Sequence, residues 1–145
     1  MTIFTERDTE TEAVGAALAR ALERDGVRRA FIAMRGEMGV GKTAFVRGFA
    51  SYFGISGVKS PTYTVVNEYA GACRIFHFDM YRITDADDLY SIGYDDYVER
   101  DGYCIAEWSE NIEDALPTDA IFVTISREGH ECGRRIDISY DNVSL

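Results

Sequence analysis

Cysteine and long apolar runs are scarce in this sequence, and each shortage excludes a class of protein. The 145-residue chain has three cysteines. Cys73, Cys104 and Cys132 lie too far apart for a disulfide framework or a CxxC zinc or redox motif. No apolar run approaches the roughly 20 residues of a membrane-spanning helix. The N-terminal segment MTIFTERDTE carries acids where a secretion signal carries bases. We therefore expect a cytoplasmic protein with no membrane anchor.

Positive charge is also scarce. The formal net charge is −10, and no segment concentrates Lys and Arg. Contacts from such residues to phosphates dominate the affinity of proteins for nucleic acids. The chain alone is therefore expected to bind DNA or RNA poorly.

The apolar pattern of the first part of the chain predicts helix, strand, loop and helix. A helix is expected over residues 9–24, with Thr9 and Glu12 spaced as a capping box at its start. An apolar strand over residues 30–35 then leads through a glycine-rich turn into a helix over residues 43–53.

The rest of the chain predicts mainly strands. Residues 62–69 and 73–79 are expected to form an antiparallel hairpin, and residues 120–128 and 134–140 a second one. A further buried strand is expected over residues 103–108. The length fits one core, so we expect a single α/β domain with a three-layer sandwich. Its mixed sheet would have a parallel core and antiparallel hairpins.

One segment matches the phosphate-binding loop motif GxxxxGK[ST] in full, between an apolar strand and a helix. Glycines let such a loop curl so that its N–H groups and the following helix N-terminus face a phosphate. A lysine then reaches the β and γ phosphates, and a threonine hydroxyl ligates Mg²⁺. With this motif, the expected three-layer sandwich is that of the P-loop NTPases. The predicted nucleotide-binding residues, beginning after Gly36, are Glu37, Met38, Gly39, Val40, Gly41, Lys42, Thr43 and Ala44.

Two carboxylates are candidates for work on a bound nucleotide. Asp79 ends the strand segment IFHFD, and Glu107 ends YCIAE. Acids at the carboxyl ends of strands beside a phosphate loop serve magnesium and the attacking water. For either acid alone, capping of a nearby turn is an alternative.

Missing motifs narrow the class of enzyme. The sequence contains neither the NKxD guanine-specificity motif nor a DxxG switch, which argues against a GTPase. A small-molecule P-loop kinase stays an alternative, although we find no arginine-rich lid for it. A second alternative is a binding module in which ATP acts as a switch and hydrolysis is incidental.

Four segments carry a family resemblance: GEMGVGKT, SPTYTVVNEY, HFDMYRI and AEWSE. Their order and spacing are those of the TsaE family, also called YjeE, and the sequence resembles that family over residues 9 to about 110. Met38, Val40 and Ser109 depart from the residues most frequent there. The C-terminal part matches only in general character, so no role at the nucleotide is assigned to Arg134 or Arg135.

The resemblance implies site residues as well as a fold. It implies ATP and Mg²⁺ as cofactors, Thr43 and Glu107 as the metal ligands, and catalytic roles for Lys42 and Asp79. Asp79 would orient or activate the water that attacks the γ-phosphate.

Further roles implied by the resemblance lie around this centre. Ser60, Pro61 and Thr62 would form a switch-like loop near the γ-phosphate. Thr11 would lie near the adenine, with a plain role at the helix start as the alternative. Trp108 would pack the site or face a partner, with a core role as the alternative.

The resemblance also implies partners. TsaE proteins work with TsaB and TsaD, which transfer the threonylcarbamoyl group to adenosine 37 of ANN-decoding tRNAs. ATP hydrolysis would reset that complex, and an acidic chain would meet tRNA only through its partners.

Overall fold

The computed structural model describes residues 1–60 and 65–145, and the strands in these ranges form one seven-stranded sheet. In chain order the strands are β1 (Thr2–Thr5), β2 (Arg29–Arg35), β3 (Val66–Ala70), β4 (Arg74–Asp79), β5 (Gly102–Glu107), β6 (Ile121–Arg127) and β7 (Arg134–Ile138). The helices are α1 (Asp8–Arg24), α2 (Lys42–Tyr52), α3 (Ala86–Ser91) and α4 (Tyr94–Glu99), with a 3₁₀ helix over Ser109–Ala115.

The sheet has a parallel centre and antiparallel margins. Its spatial order is β1-β7-β6-β2-β5-β4-β3. Strand β2 pairs in parallel with both β5 and β6, and β4 pairs in parallel with β5. The β3–β4, β6–β7 and β1–β7 pairs are antiparallel. Because β2, β4 and β5 run in the same direction, their carboxyl ends meet at one edge of the sheet.

Helices cover both faces of the sheet, as in a three-layer sandwich. Alternate residues of β2 point to opposite faces, so that Ile32 and Met34 join one core and Phe31 and Ala33 join the other. The first core packs under α1 and α2. The second packs under α3, α4 and the 3₁₀ helix.

Helices α1 and α2 approach each other closely at two glycines. A Cβ atom at Gly15 would lie 2.1 Å from the carbonyl oxygen of Phe45, and one at Gly48 would lie 1.9 Å from that of Glu12. Neither position has room for a side chain. This contact holds α2, which follows the glycine-rich loop, against the first helix of the chain.

The predicted fold class is confirmed, as are both hairpins and the buried strand at 103–108. Strand β3 begins at Val66, whereas the predicted strand began at residue 62, and residues 62–64 lie outside the described residues. The other ends of these strands shift by at most two residues. The capping box is wrong. Helix α1 begins at Asp8 after Arg7, and Glu10 Oε1 accepts the backbone N–H of Glu6 at 3.0 Å. Strand β1 and helix α4 were not predicted. None of the helices in residues 1–60 and 65–145 is long and apolar enough to cross a bilayer.

Candidate functional site

The glycine-rich loop joins the end of β2 to the start of α2, at the carboxyl edge of the parallel strands. Gly36, Gly39 and Gly41 have φ angles of +146°, +79° and +106°, values that side-chain-bearing residues rarely adopt. At Gly36 a Cβ atom would also lie 2.4 Å from the carbonyl oxygen of Ile125. Glycine is therefore required at the start of the loop for two separate reasons, backbone conformation and close contact with β6.

Lys42 is the cation of this loop, and it is 4% exposed. Its Nζ donates to the carbonyl oxygen of Gly36 at 2.6 Å and lies 4.1 Å from the centroid of the Trp108 ring. Burial lowers the pKa of Lys42, and the negative charges of Glu107, Glu110 and Asp79 partly oppose that shift. The ammonium group is thus held in the loop by one carbonyl and an aromatic face, with carboxylates nearby.

The two strand-end acids lie opposite each other. Asp79 and Glu107 are register partners at the ends of β4 and β5, so their side chains point to the same face. Glu107 is 6% exposed, and its Oε2 lies 2.5 Å from Nε2 of the fully buried His77.

Asp79 has a different environment from Glu107. It is half-buried, and its Oδ1 accepts the backbone N–H of Tyr81 at 3.0 Å. The turn-capping alternative considered for strand-end acids is therefore realised at Asp79. Asp79 makes this contact and also lines a cleft that contains residues of the phosphate loop.

A cleft of about 690 Å³ connects these groups. The site residues predicted from the sequence that line this cleft are Met38, Gly39, Gly41, Lys42, Thr43, Ala44, Ser60, Asp79, Glu107 and Trp108. Thr43 and Ser60 are in contact, with their hydroxyl oxygens 2.5 Å apart. Pro61 and Thr62 lie outside the described residues.

Of three other predicted residues, two belong to the loop and one lies beside it. Val40 is 1% exposed and belongs to the core under α1 and α2. Glu37 points outward, and its carboxylate pairs with Arg127 at 2.9 Å. Thr11 is 2% exposed and shares a hydrogen bond of 2.9 Å with Thr5. The methyl group of Thr11 would lie 3.8 Å from a Cβ atom at Gly41, so Thr11 packs beside the loop.

Trp108 has the one positive φ angle among the described non-glycine residues, at 59°. Such a conformation costs energy in a bulky residue and clusters at functional sites. Here it turns the chain directly after Glu107. The indole ring contacts Tyr81, with ring centroids 5.1 Å apart, as well as Lys42. Trp108 thus closes one side of the phosphate loop.

Sequence analysis missed two groups that support the site. His77 binds Glu107, and its signal was available, since it lies two residues before Asp79 on the same face of β4. Arg134 donates from Nε to the carbonyl oxygen of Val40 at 2.9 Å. No local pattern marks that contact, because 94 positions separate the two residues.

The donor groups suit a nucleotide-bound magnesium ion better than a metal held by protein alone. Among residues 1–60 and 65–145, no three His, Cys, Asp or Glu side chains are grouped to hold a metal ion. Mg²⁺ prefers oxygen ligands, keeps several waters, and is usually held by one or two protein groups plus substrate phosphates. Thr43 and Glu107, which both line the cleft, provide one hydroxyl and one carboxylate of that kind.

Comparison with known proteins agrees with this geometry. Residues 5–136 match the family model described as threonylcarbamoyl adenosine biosynthesis protein TsaE. Relatives named tRNA threonylcarbamoyladenosine biosynthesis protein TsaE include one from Bacillus subtilis, 36% identical over 88% of this chain and 78% of its own. One from Haemophilus influenzae is 45% identical over 63% of this chain and 60% of its own.

A solved structure gives the same result. The crystal structure of Bacillus subtilis YdiB superposes with a TM-score of 0.77 at 30% identity, covering 94% of this chain and 82% of that one. The family match reaches residue 136, well beyond the residue near 110 at which the sequence resemblance was placed. The C-terminal hairpin is therefore part of the shared pattern, and the chain belongs to the TsaE family.

Proposed function

We propose that residues 1–145 form a single P-loop ATPase domain that acts, in the cytoplasm, in the biosynthesis of threonylcarbamoyladenosine in tRNA. The observation that carries this proposal is one cleft in which a complete phosphate loop, with its Lys42, faces Asp79 and Glu107. The names of the relatives supply the pathway.

Binding of ATP follows from the loop. The N–H groups of the glycine-rich turn and of the start of α2 would surround the phosphates. Lys42 would exchange its bond to the Gly36 carbonyl for charge-assisted bonds to the β and γ phosphates, which are stronger. The absence of the NKxD motif favours adenine over guanine.

Hydrolysis requires a water and a place for negative charge. Asp79, half-exposed at the cleft, would orient the water that attacks the γ-phosphate, releasing ADP and phosphate. Thr43 and Glu107 would hold Mg²⁺, and the ion would supply positive charge to stabilise the negative charge that develops during phosphoryl transfer. Ser60 contacts the Thr43 hydroxyl, and this contact supports a role for Ser60 in sensing whether the metal site is occupied.

Partners complete the proposal. The chain has a net charge of −10, so it would meet tRNA through TsaB and TsaD, and its ATP hydrolysis would reset their complex. The isolated chain should hydrolyse ATP slowly, because no arginine finger is evident in the sequence and such a residue from a partner raises rates by roughly 10³ to 10⁵.

Phosphate release from ATP and from GTP, with and without purified TsaB and TsaD, tests the proposal. We expect slow release from ATP alone, faster release with both partners, and weaker use of GTP. Partner-independent transfer of phosphate to a small hydroxylated metabolite would instead identify a kinase. Formation of modified tRNA by TsaB and TsaD with an Asp79→Asn variant that binds ATP without hydrolysing it would favour the nucleotide-switch alternative, in which hydrolysis is incidental.

A further inference from the structure

His77 is a buried polar residue that the proposed reaction has not used. It lies on β4, two residues before Asp79, with Phe76 and Phe78 packed into the opposite core. Its side chain is 0% exposed. A fully buried histidine beside a residue that lines the cleft needs a physical reason.

Only one of the two ring nitrogens of His77 has a hydrogen-bond partner among the described residues. Nε2 lies 2.5 Å from Oε2 of Glu107, and Nδ1 is buried without a hydrogen-bond partner among the described residues. Burying an unpartnered ring nitrogen costs free energy that an apolar side chain of similar size would avoid. A role in core packing therefore explains the size of His77 but does not explain its imidazole.

We propose that His77 is a positioning residue for Glu107: its Nε2–H holds Oε2, so that Oε1 faces the cleft as a ligand for nucleotide-bound Mg²⁺. The inference rests on the proposed function, because it assigns His77 to the metal ligand of that same site. Ligating carboxylates are commonly held by such outer hydrogen bonds, and loss of one typically costs about 10- to 100-fold in metal affinity or activity.

The geometry explains why Glu107 needs this support while Asp79 does not. Asp79 has a short side chain anchored by the backbone N–H of Tyr81. The side chain of Glu107 has one more rotatable bond and, within the described part of the chain, makes its single hydrogen bond to His77. Without that hydrogen bond the carboxylate of Glu107 would still be present, but it would be free to rotate.

Calorimetric titration of ATP, with Mg²⁺ and with EDTA, tests the inference on four variants. His77→Phe keeps a ring but has no donor, and His77→Gln restores an N–H near the position of Nε2. Glu107→Ala removes the carboxylate that is proposed to bind Mg²⁺. His130→Phe is the matched control, because His130 is the other of the chain's two histidines and is exposed.

We expect His77→Phe to weaken ATP binding in Mg²⁺ about 10-fold or more, and to leave binding in EDTA unchanged. His77→Gln should recover most of the difference, and His130→Phe should match the unmodified protein. An equal loss in Mg²⁺ and in EDTA would mean that His77 only supports the fold, which would overturn the inference.

The controls separate the inference from the proposed function. If Glu107→Ala loses Mg²⁺ dependence and His77→Phe keeps it, the inference alone fails. If Glu107→Ala also keeps Mg²⁺ dependence, Glu107 is not the ligand and both fail. If the unmodified protein does not bind Mg²⁺-ATP at all, the proposed function fails and the inference fails with it.

A spectroscopic readout on the unmodified protein covers the case in which both His77 variants fail to fold. Long-range ¹H–¹⁵N spectra report which ring nitrogen carries hydrogen, and the His130→Phe spectrum leaves one imidazole to assign. We expect a hydrogen on Nε2 of His77. A bare Nε2 could not donate to Glu107 and would overturn the inference.

Discussion

The two ends of the parallel strands both carry a large cavity, yet they differ in where their charged groups lie. At the amino ends of β2, β4 and β5 a cavity of about 800 Å³ is lined by Arg28, Arg74 and Arg100, all of which are exposed. At the carboxyl ends the cleft of about 690 Å³ contains Lys42 and Glu107, which are 4% and 6% exposed.

This difference in burial, and not cavity size, is the reason that we propose the nucleotide site at the carboxyl end. Exposed arginines keep their hydration, so lining a cavity with them costs little free energy. A buried lysine and a buried glutamate must be compensated by specific partners. Gly36, Trp108 and His77 provide that compensation at the carboxyl end. Buried charged groups in a cleft are typical of functional sites.

The largest expected effect comes from replacing each of the two acids at the carboxyl end with alanine. Asp79→Ala should lower ATP turnover by about 10² or more while leaving ATP affinity nearly unchanged, because a water-orienting group acts mainly in the transition state. Glu107→Ala should instead abolish the dependence of ATP affinity on Mg²⁺. Phosphate release and calorimetry on both variants check the pair, and the reverse pattern would exchange their roles.

Lys42→Ala should weaken ATP binding by about 2–3 kcal/mol, roughly 100-fold, because hydrogen bonds to charged groups contribute about that much. Lys59→Ala is the matched control, since Lys59 is the other of the two lysines in the sequence and is exposed. Fluorescence of Trp108, whose ring lies over Lys42, would report binding in both. Equal affinities for the two variants would remove Lys42 from the site.

Arg134→Ala should have a smaller effect. The substitution removes the bond from Arg134 to the Val40 carbonyl within the phosphate loop, which we expect to cost about 1–2 kcal/mol of stability and a few-fold in ATP affinity. The neighbouring Arg135 pairs with Asp137 at the surface. Arg135→Ala should therefore change stability by less than about 1 kcal/mol. Thermal unfolding of the two variants, with and without ATP, measures the difference.

Sequence patterns predicted the parts of this molecule that are local along the chain. The phosphate loop is one uninterrupted motif, and Asp79 and Glu107 each end an apolar strand. Short apolar runs also predicted the central strands, and the turns between such segments predicted both hairpins. These features depend on neighbours within a few residues, so a reading of the sequence alone reaches them.

Contacts between distant segments were out of reach. Strand β1 has four residues and pairs with β7 at the far end of the chain, so its own pattern is too short to be distinctive. His77 meets Glu107 across 30 positions. The capping box failed because the chain before α1 uses Glu10 to bind a backbone N–H, and the helix begins before Thr9.

Hydrogen–deuterium exchange of the backbone with and without Mg²⁺-ADP tests most directly the claim that the carboxyl end of the strands is the nucleotide site. We predict slower exchange in residues 36–43 and around Asp79 and Glu107 when the nucleotide binds, and no change in residues 72–74 and 100–103 at the amino end. Slower exchange confined to the amino-end cavity, with the phosphate loop unaffected, would contradict the claim.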